Sequence, residues 1–124
     1  MADLTIFYRD GDRVTGRATA AITGARLVKV SGARADGENI DVATAGAGDV
    51  VFGVSGQDAA QGDSLPVIRK GVVGLKASEN VAAGEQVTVA ANGEVQVLGV
   101  SEVAMGIAVD DIASGATGPV ALKL

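Results

Sequence analysis

Glycine recurs along the whole chain, eighteen times in 124 residues, and it repeatedly stands just ahead of a stretch in which apolar residues alternate. The pattern is a small or apolar residue, one spacer, Gly, and then apolar positions with period two. It runs Ile22-Thr23-Gly24 into Leu27-Val28-Lys29-Val30, and Ala60-Gln61-Gly62 into Leu65-Pro66-Val67. It returns as Ala82-Ala83-Gly84 before Val87-Thr88-Val89, and as Ala113-Ser114-Gly115 before Pro119-Val120. Physically this is a tight turn feeding a strand: glycine takes a positive φ at little steric cost, and alternation sets one side of a strand against a core. Gly62, Gly84 and Gly115 are expected to occupy equivalent turns at positive φ, with Gly24 a further structural turn. Dispersed glycine also opposes long helices.

The apolar residues agree. They make up 48% of the chain and are mostly Val and Ala, with Phe7, Tyr8 and Phe52 the only aromatics. Valine packs well on a pleated surface. The expected fold is therefore all-β, a small β-barrel or β-sandwich with short strands, tight Gly turns and little helix. Ala43 to Gly48 is too short and glycine-rich for a helix, while Asp110 to Ser114 has room for one turn before Gly115 stops it.

Two of the pattern's copies are closer than the rest. Gly53, Asp58, Ala60, Gly62, Pro66 and Val67 recur 53 positions later as Gly106, Asp111, Ala113, Gly115, Pro119 and Val120, six identities in fifteen aligned positions. An internal duplication with pseudo-symmetric halves fits better than a solenoid, because the copies are irregularly spaced. One hairpin is legible in detail. A three-residue loop at Ala91-Asn92-Gly93 sets Val89 against Val95 and Val87 against Val97, keeping one face apolar, with Gly93 left-handed. Pro66 and Pro119 cannot donate to a ladder, which predicts strand starts or edges for both.

Charge is unevenly distributed. Residues 1–34 carry six basic groups (Arg9, Arg13, Arg17, Arg26, Lys29, Arg34) against Asp3, Asp10 and Asp12, a balance of +3. The net charge of −5 then leaves −8 on the rest. An acidic body argues against a nucleic-acid partner. No apolar stretch approaches the roughly 20 residues needed to span a bilayer, which argues against a membrane partner. The N-terminus lacks the basic start and apolar run of a signal peptide, so synthesis in a cytoplasm is expected.

Catalytic chemistry finds little to work with. The chain has no His and no Cys, which removes the commonest general base, the thiol nucleophile, disulfides and thiolate metal sites. Ser55 in Gly53-Val54-Ser55-Gly56 is not a nucleophile elbow. Asp110-Asp111 is the only adjacent carboxylate pair, and neighbours on a strand point to opposite faces. No Asp-x-Asp-x-Asp-Gly series offers a Ca²⁺ site, and Arg69-Lys70-Gly71 lacks a phosphate-cradling glycine loop. No enzyme activity, catalytic residue, cofactor or metal is expected. A carbohydrate- or other ligand-binding β-module of a phage or bacterial surface protein is the alternative, and scarce aromatics weigh against it.

Several segments resemble bacteriophage head decoration proteins, also called capsid cement proteins. They are Val51-Phe52-Gly53-Val54, Asp58-Ala59-Ala60-Gln61-Gly62-Asp63 with Pro66-Val67, and Gly71-Val72-Val73. Val81-Ala82-Ala83-Gly84-Glu85-Gln86-Val87, Met105-Gly106-Ile107-Ala108 and Ile112-Ala113-Ser114-Gly115 continue the likeness, which extends over roughly residues 18–124. The resemblance implies a compact barrel-like fold, commonly a homotrimer, on the outer capsid surface, where it clamps the major capsid protein lattice.

Ahead of that region, Leu4, Ile6, Phe7 and Tyr8 gather large apolar groups where a chain terminus usually frays. Arg9, Arg13 and Arg17 follow at four-residue intervals. The expected division is an N-terminal arm or first strand over 1–17 and a single β-domain over 18–124. Those seven residues are the expected contacts to the capsid or a neighbouring subunit.

Overall fold

A computed structural model describes residues 13–34 and 39–124. Ten short strands carry the described fold: β1 Arg13–Ala18, β2 Leu27–Val30, β3 Ile40–Thr44, β4 Gly53–Ser55 and β5 Ser64–Ile68, then β6 Val72–Lys76, β7 Gln86–Val89, β8 Val95–Val97, β9 Gly106–Ala108 and β10 Thr117–Leu122. The fold is all-β, and its one helical element among the described residues is a 3-10 turn at Ala91–Gly93. The first five strands close a barrel in the order β1-β3-β2-β4-β5, and the last five form a sheet in the order β6-β10-β9-β7-β8. β1 contains residues 13–18, so the expected division at residues 17 and 18 falls inside a barrel strand.

The two sheets are the same fold twice. In the first, β2 pairs with β4 as Leu27↔Val54 and Val28↔Gly53; in the second, β7 pairs with β9 as Gln86↔Ile107 and Val87↔Gly106. The offsets are 59 (86 − 27) for the early strands and 53 (107 − 54) for the later ones. The bridge Ile22↔Ala59 returns at those offsets as Val81↔Ile112. Gly53 and Gly106 are equivalent and share one physical cause. A Cβ on Gly53 would lie 2.5 Å from Val67 Cγ1, and one on Gly106 would lie 2.5 Å from the Ala121 carbonyl oxygen.

The turns follow the same bookkeeping. Gly62, Gly84 and Gly115 have φ of 90°, 86° and 80°. Each is the third residue of a four-residue turn closed by Asp63 N–H to Ala60 O, Glu85 N–H to Ala82 O, or Ala116 N–H to Ala113 O. Gly62 and Gly115 are equivalent at offset 53. Gly84 instead corresponds, at offset 59, to Ala25, a non-glycine residue at φ 58°. Gly24 is not at positive φ; it is small because a Cβ there would come within 3.0 Å of the Gln57 backbone. The hairpin pairs Val87↔Val97 and Val89↔Val95, with both Asn92 (φ 60°) and Gly93 (φ 69°) left-handed.

Two expectations need correction. Pro66 and Pro119 lie inside β5 and β10, not at strand starts or edges. Each carbonyl accepts a bond from a residue just past the neighbouring strand, Gly56 N–H to Pro66 O and Val109 N–H to Pro119 O. A strand residue's N and C=O point the same way, so each imino nitrogen faces a place where β4 or β9 has already ended. Residues 110–114 form no helical turn, because Ile112 exchanges both backbone bonds with Val81 across the bridge.

The core divides along the repeat. Ala18, Ile22, Val28, Val42, Ala59, Leu65 and Val67 fill the first barrel. The second interior, around Leu75, Val81, Val87, Val95, Ile112 and Val120, also takes in Leu27, Ala45 and Val54 from the first repeat. Cross-strand pairing puts Ile68, Val54 and Leu27 in one row on the outside of the first barrel, and Ala45 continues it by bonding to the Leu27 carbonyl. That row is the seat between the repeats. Leu27 and Val54 are almost fully buried there, and each contributes roughly 1.5–3 kcal/mol.

A seam marks the same junction. In the first barrel, β1 and β3 zip in parallel through Gly16↔Ile40, Arg17↔Asp41 and Ala18↔Val42. In the second, the equivalent closure is the single bridge Ala77↔Val95. At that loosened seam Gly93 lies against Leu27, whose carbonyl oxygen is 2.8 Å from where a Gly93 Cβ would stand. Glu94 there accepts a 2.9 Å bond from Arg26 Nη1 and lies 3.8 Å from Lys76 Nζ.

Candidate functional site

Most of the described carboxylates bond to the protein's own backbone amides, Asp41 and Glu94 being ion-paired instead. Asp58 Oδ1 accepts the Gly24 amide at 2.6 Å, and Asp111 Oδ1, its equivalent, accepts the Ala83 amide at 2.8 Å. Glu85 Oε1 accepts the Ala82 amide, and Asp63 Oδ2 accepts the Ala60 amide. Asp110 accepts the amide of Asp111, so the adjacent carboxylates hold separate turns. Ser55 is buried, and its Oγ donates to the Thr23 carbonyl at 2.8 Å while accepting the Arg26 amide at 3.1 Å. That hydroxyl is inserted into a turn which, in the second repeat, closes directly from Glu85 to Ala82. Among the described residues no group of His, Cys, Asp and Glu could hold a metal ion.

The surface offers apolar groups instead. The loops between β3 and β4 and between β8 and β9 are equivalent at offset 53, and each presents a valine, Val50 at 87% exposure and Val103 at 84%. Each loop is tied by a carboxylate, Asp49 on the Gly46 amide and Glu102 on the Gly99 amide. Between them lies a groove of about 370 Å³ with Val51, Met105 and Leu124 in its lining. The Gly46 amide, followed by Lys29, whose Nζ stands 3.1 Å away, holds the Asp49 carboxyl below its ordinary value of 3.8.

The expected contact residues divide between two places. Leu4, Ile6, Phe7, Tyr8 and Arg9 lie outside the described residues. Arg13 and Arg17 belong to β1 and not to a detached arm, four residues apart and so on one face of the strand. Arg13 is exposed opposite Ile68. Arg17 is half-buried with Nη1 3.5 Å from Asp41, a buried carboxylate whose Oδ1 has no hydrogen-bond partner. The groove between Val50 and Val103 escaped sequence reasoning, because each valine looks like an ordinary strand residue until the repeat brings the two loops together.

Residues 8–124 match the family model described as phage cement protein. The chain belongs to the phage cement protein family. Its role is accordingly structural and capsid-associated, in keeping with a surface whose carboxylates serve turns. The matched stretch takes in every segment on which the resemblance was read, and it includes Tyr8 and Arg9 but not Leu4, Ile6 or Phe7. No curated protein matches the sequence. Among solved structures, the N base of the head fiber gp8.5 of bacteriophage phi29 shares the cement protein's fold. It has 18% identity and a TM-score of 0.74, covering 90% of this chain and 92% of that one.

Proposed function

We propose that this cement protein binds the outer surface of the phage capsid and stabilises the lattice of its major capsid protein, acting without catalysis or cofactor. The observation that carries the reading is the family match over residues 8–124, and the chemistry supports it. Most of the described carboxylates and the one buried serine are committed to backbone bonds, while apolar groups such as Val50 and Val103 face outward. The protein works as a homotrimer, and many weak copies per shell add up through avidity. Residues 1–12 contact the major capsid protein or a neighbouring subunit through Leu4, Ile6, Phe7, Tyr8 and Arg9.

The test is co-sedimentation of the purified protein with phage heads stripped of their decoration protein. Binding that raises the heads' resistance to heating supports the proposal; heads that neither bind the protein nor gain resistance overturn it. Deletion of residues 1–12 leaves β1 whole, and it tests the N-terminal contact. A shortened protein with an almost unchanged melting temperature and lost head binding is the expected outcome. Intact head binding, or an unfolded domain, sinks that part of the proposal.

A further inference from the structure

The duplication provides an internal control for reading surfaces. On the first barrel the outer row Arg13–Ile68–Val54–Leu27–Ala45 seats against the second repeat, burying its last four members wholly or in part. At the two offsets its equivalent is Val72–Ala121–Ile107–Gln86–Leu98. The registers make that row equally continuous, through Val72↔Ala121, Ala121↔Ile107 and Ile107↔Gln86, with Leu98 bonded to the Gln86 carbonyl. No described residue covers it in the same way: Val72 is 60% exposed and Ile107 37%. Val109, in the bend just past β9, is 55% exposed.

We propose that this bare row is where a second copy of the chain docks, so that it serves between chains as its equivalent serves between repeats. Two observations select that occupant. The equivalent row is covered by the second repeat, a five-stranded sheet with the same strand pairing, so a face of this kind already has a copy of this fold as its partner within the chain. The row also carries no charge, in a chain of net charge −5; it therefore adds no carboxylate of its own to the repulsion between two acidic copies. The mode differs in one respect from the internal seat. The first repeat's own seam is already zipped through β1 and β3, so a neighbouring copy must receive the row on an outer surface. A face that meets a different surface on its neighbour is a heterologous contact, the kind that closes a ring.

The inference rests on the self-association included in the proposed function, and it can fail while head binding survives. The experiment uses light scattering and sedimentation on the full-length chain at micromolar concentration, with head co-sedimentation on the same samples. The wild type is expected to run as a multiple of 12.2 kDa. Val72→Glu and Ile107→Glu should each weaken assembly about tenfold or more. Val103→Glu, at the groove, should leave the mass unchanged. Val72 is the more exposed site and serves where the Ile107 variant loses its fold, which circular dichroism reports. A wild type of 12.2 kDa throughout, or both row variants assembling like wild type, overturns the inference. So does loss of head binding by the row variants at unchanged mass, which would assign the row to the capsid. Normal assembly without any head binding would instead overturn the proposed function and leave the inference standing.

Discussion

Ala25 and Gly84 occupy the same turn in the two repeats, one as alanine at φ 58° and the other as glycine at φ 86°. Exchanging their identities measures what that backbone costs. A left-handed conformation costs an L-residue roughly 1–2 kcal/mol. Ala25→Gly removes that cost, but the unfolded chain gains freedom worth about 0.4–1 kcal/mol against folding. The net expectation is a stabilisation of roughly 0.5–1 kcal/mol. Gly84→Ala runs the other way, and its Cβ meets nothing within 4 Å, so no packing gain offsets the strain. It should destabilise by roughly the same amount, or somewhat more because φ 86° lies further from the left-handed minimum. Urea unfolding at fixed slope gives both values, and calorimetry should show melting shifts of about 2–5 °C of opposite sign. If Ala25→Gly destabilises the protein, or Gly84→Ala leaves it unchanged, the backbone account of these turns is wrong.

The seat between repeats predicts an asymmetry at equivalent sites: Leu27→Ala should cost about 2–5 kcal/mol, and Gln86→Ala should stay within roughly 0.5 kcal/mol, both read from urea midpoints. Asp49 predicts an acid response. Its carboxyl, held below the ordinary value by the Gly46 amide and Lys29, favours the folded state above pH 3.8 and loses that contribution as pH falls through its lower folded value. Asp49→Asn should therefore flatten part of the stability loss below pH 3.8, with little change in the slope between pH 5 and 7. An unchanged acid limb in a urea series across that range would count against the loop anchor.

How far the sequence disclosed this molecule depends on which residues carry the repeat. The later half of each unit was visible because it is bound by contacts that tolerate few side chains. Gly53 and Gly106 have no room for a Cβ, Asp58 and Asp111 each clamp an amide, and Pro66 and Pro119 each face the end of a short strand. The earlier half was hidden, although its strands pair in the same registers. Between Val30 and Val42 the first repeat has eleven residues, and between the equivalent Val89 and Val95 the second has five, a difference of six that moves the offset from 53 to 59. Its side chains diverge as well, because the two units do different work with the same position. Leu27 is buried against the neighbouring repeat where Gln86 is exposed, and Arg26 reaches Glu94 where Glu85 clamps a turn.

The candidate surface was less legible for the same reason. Period-two alternation identifies which side chains leave a strand on the same side, but it does not say whether an outward valine meets water or another barrel. Val54 and Ile107 are equivalent residues of short strands, one 3% exposed and the other 37%. Only the packing of one repeat on the other separates them, and that packing is set by the seam. Where β1 and β3 zip through three pairs the barrel is complete in itself. Where β6 and β8 meet at the single bridge Ala77↔Val95, the interior admits Leu27, Ala45 and Val54 from outside. The asymmetry between two copies of one fold therefore begins at a backbone seam, and among the described residues it leaves the second repeat's outer row without the cover that the first repeat's row has.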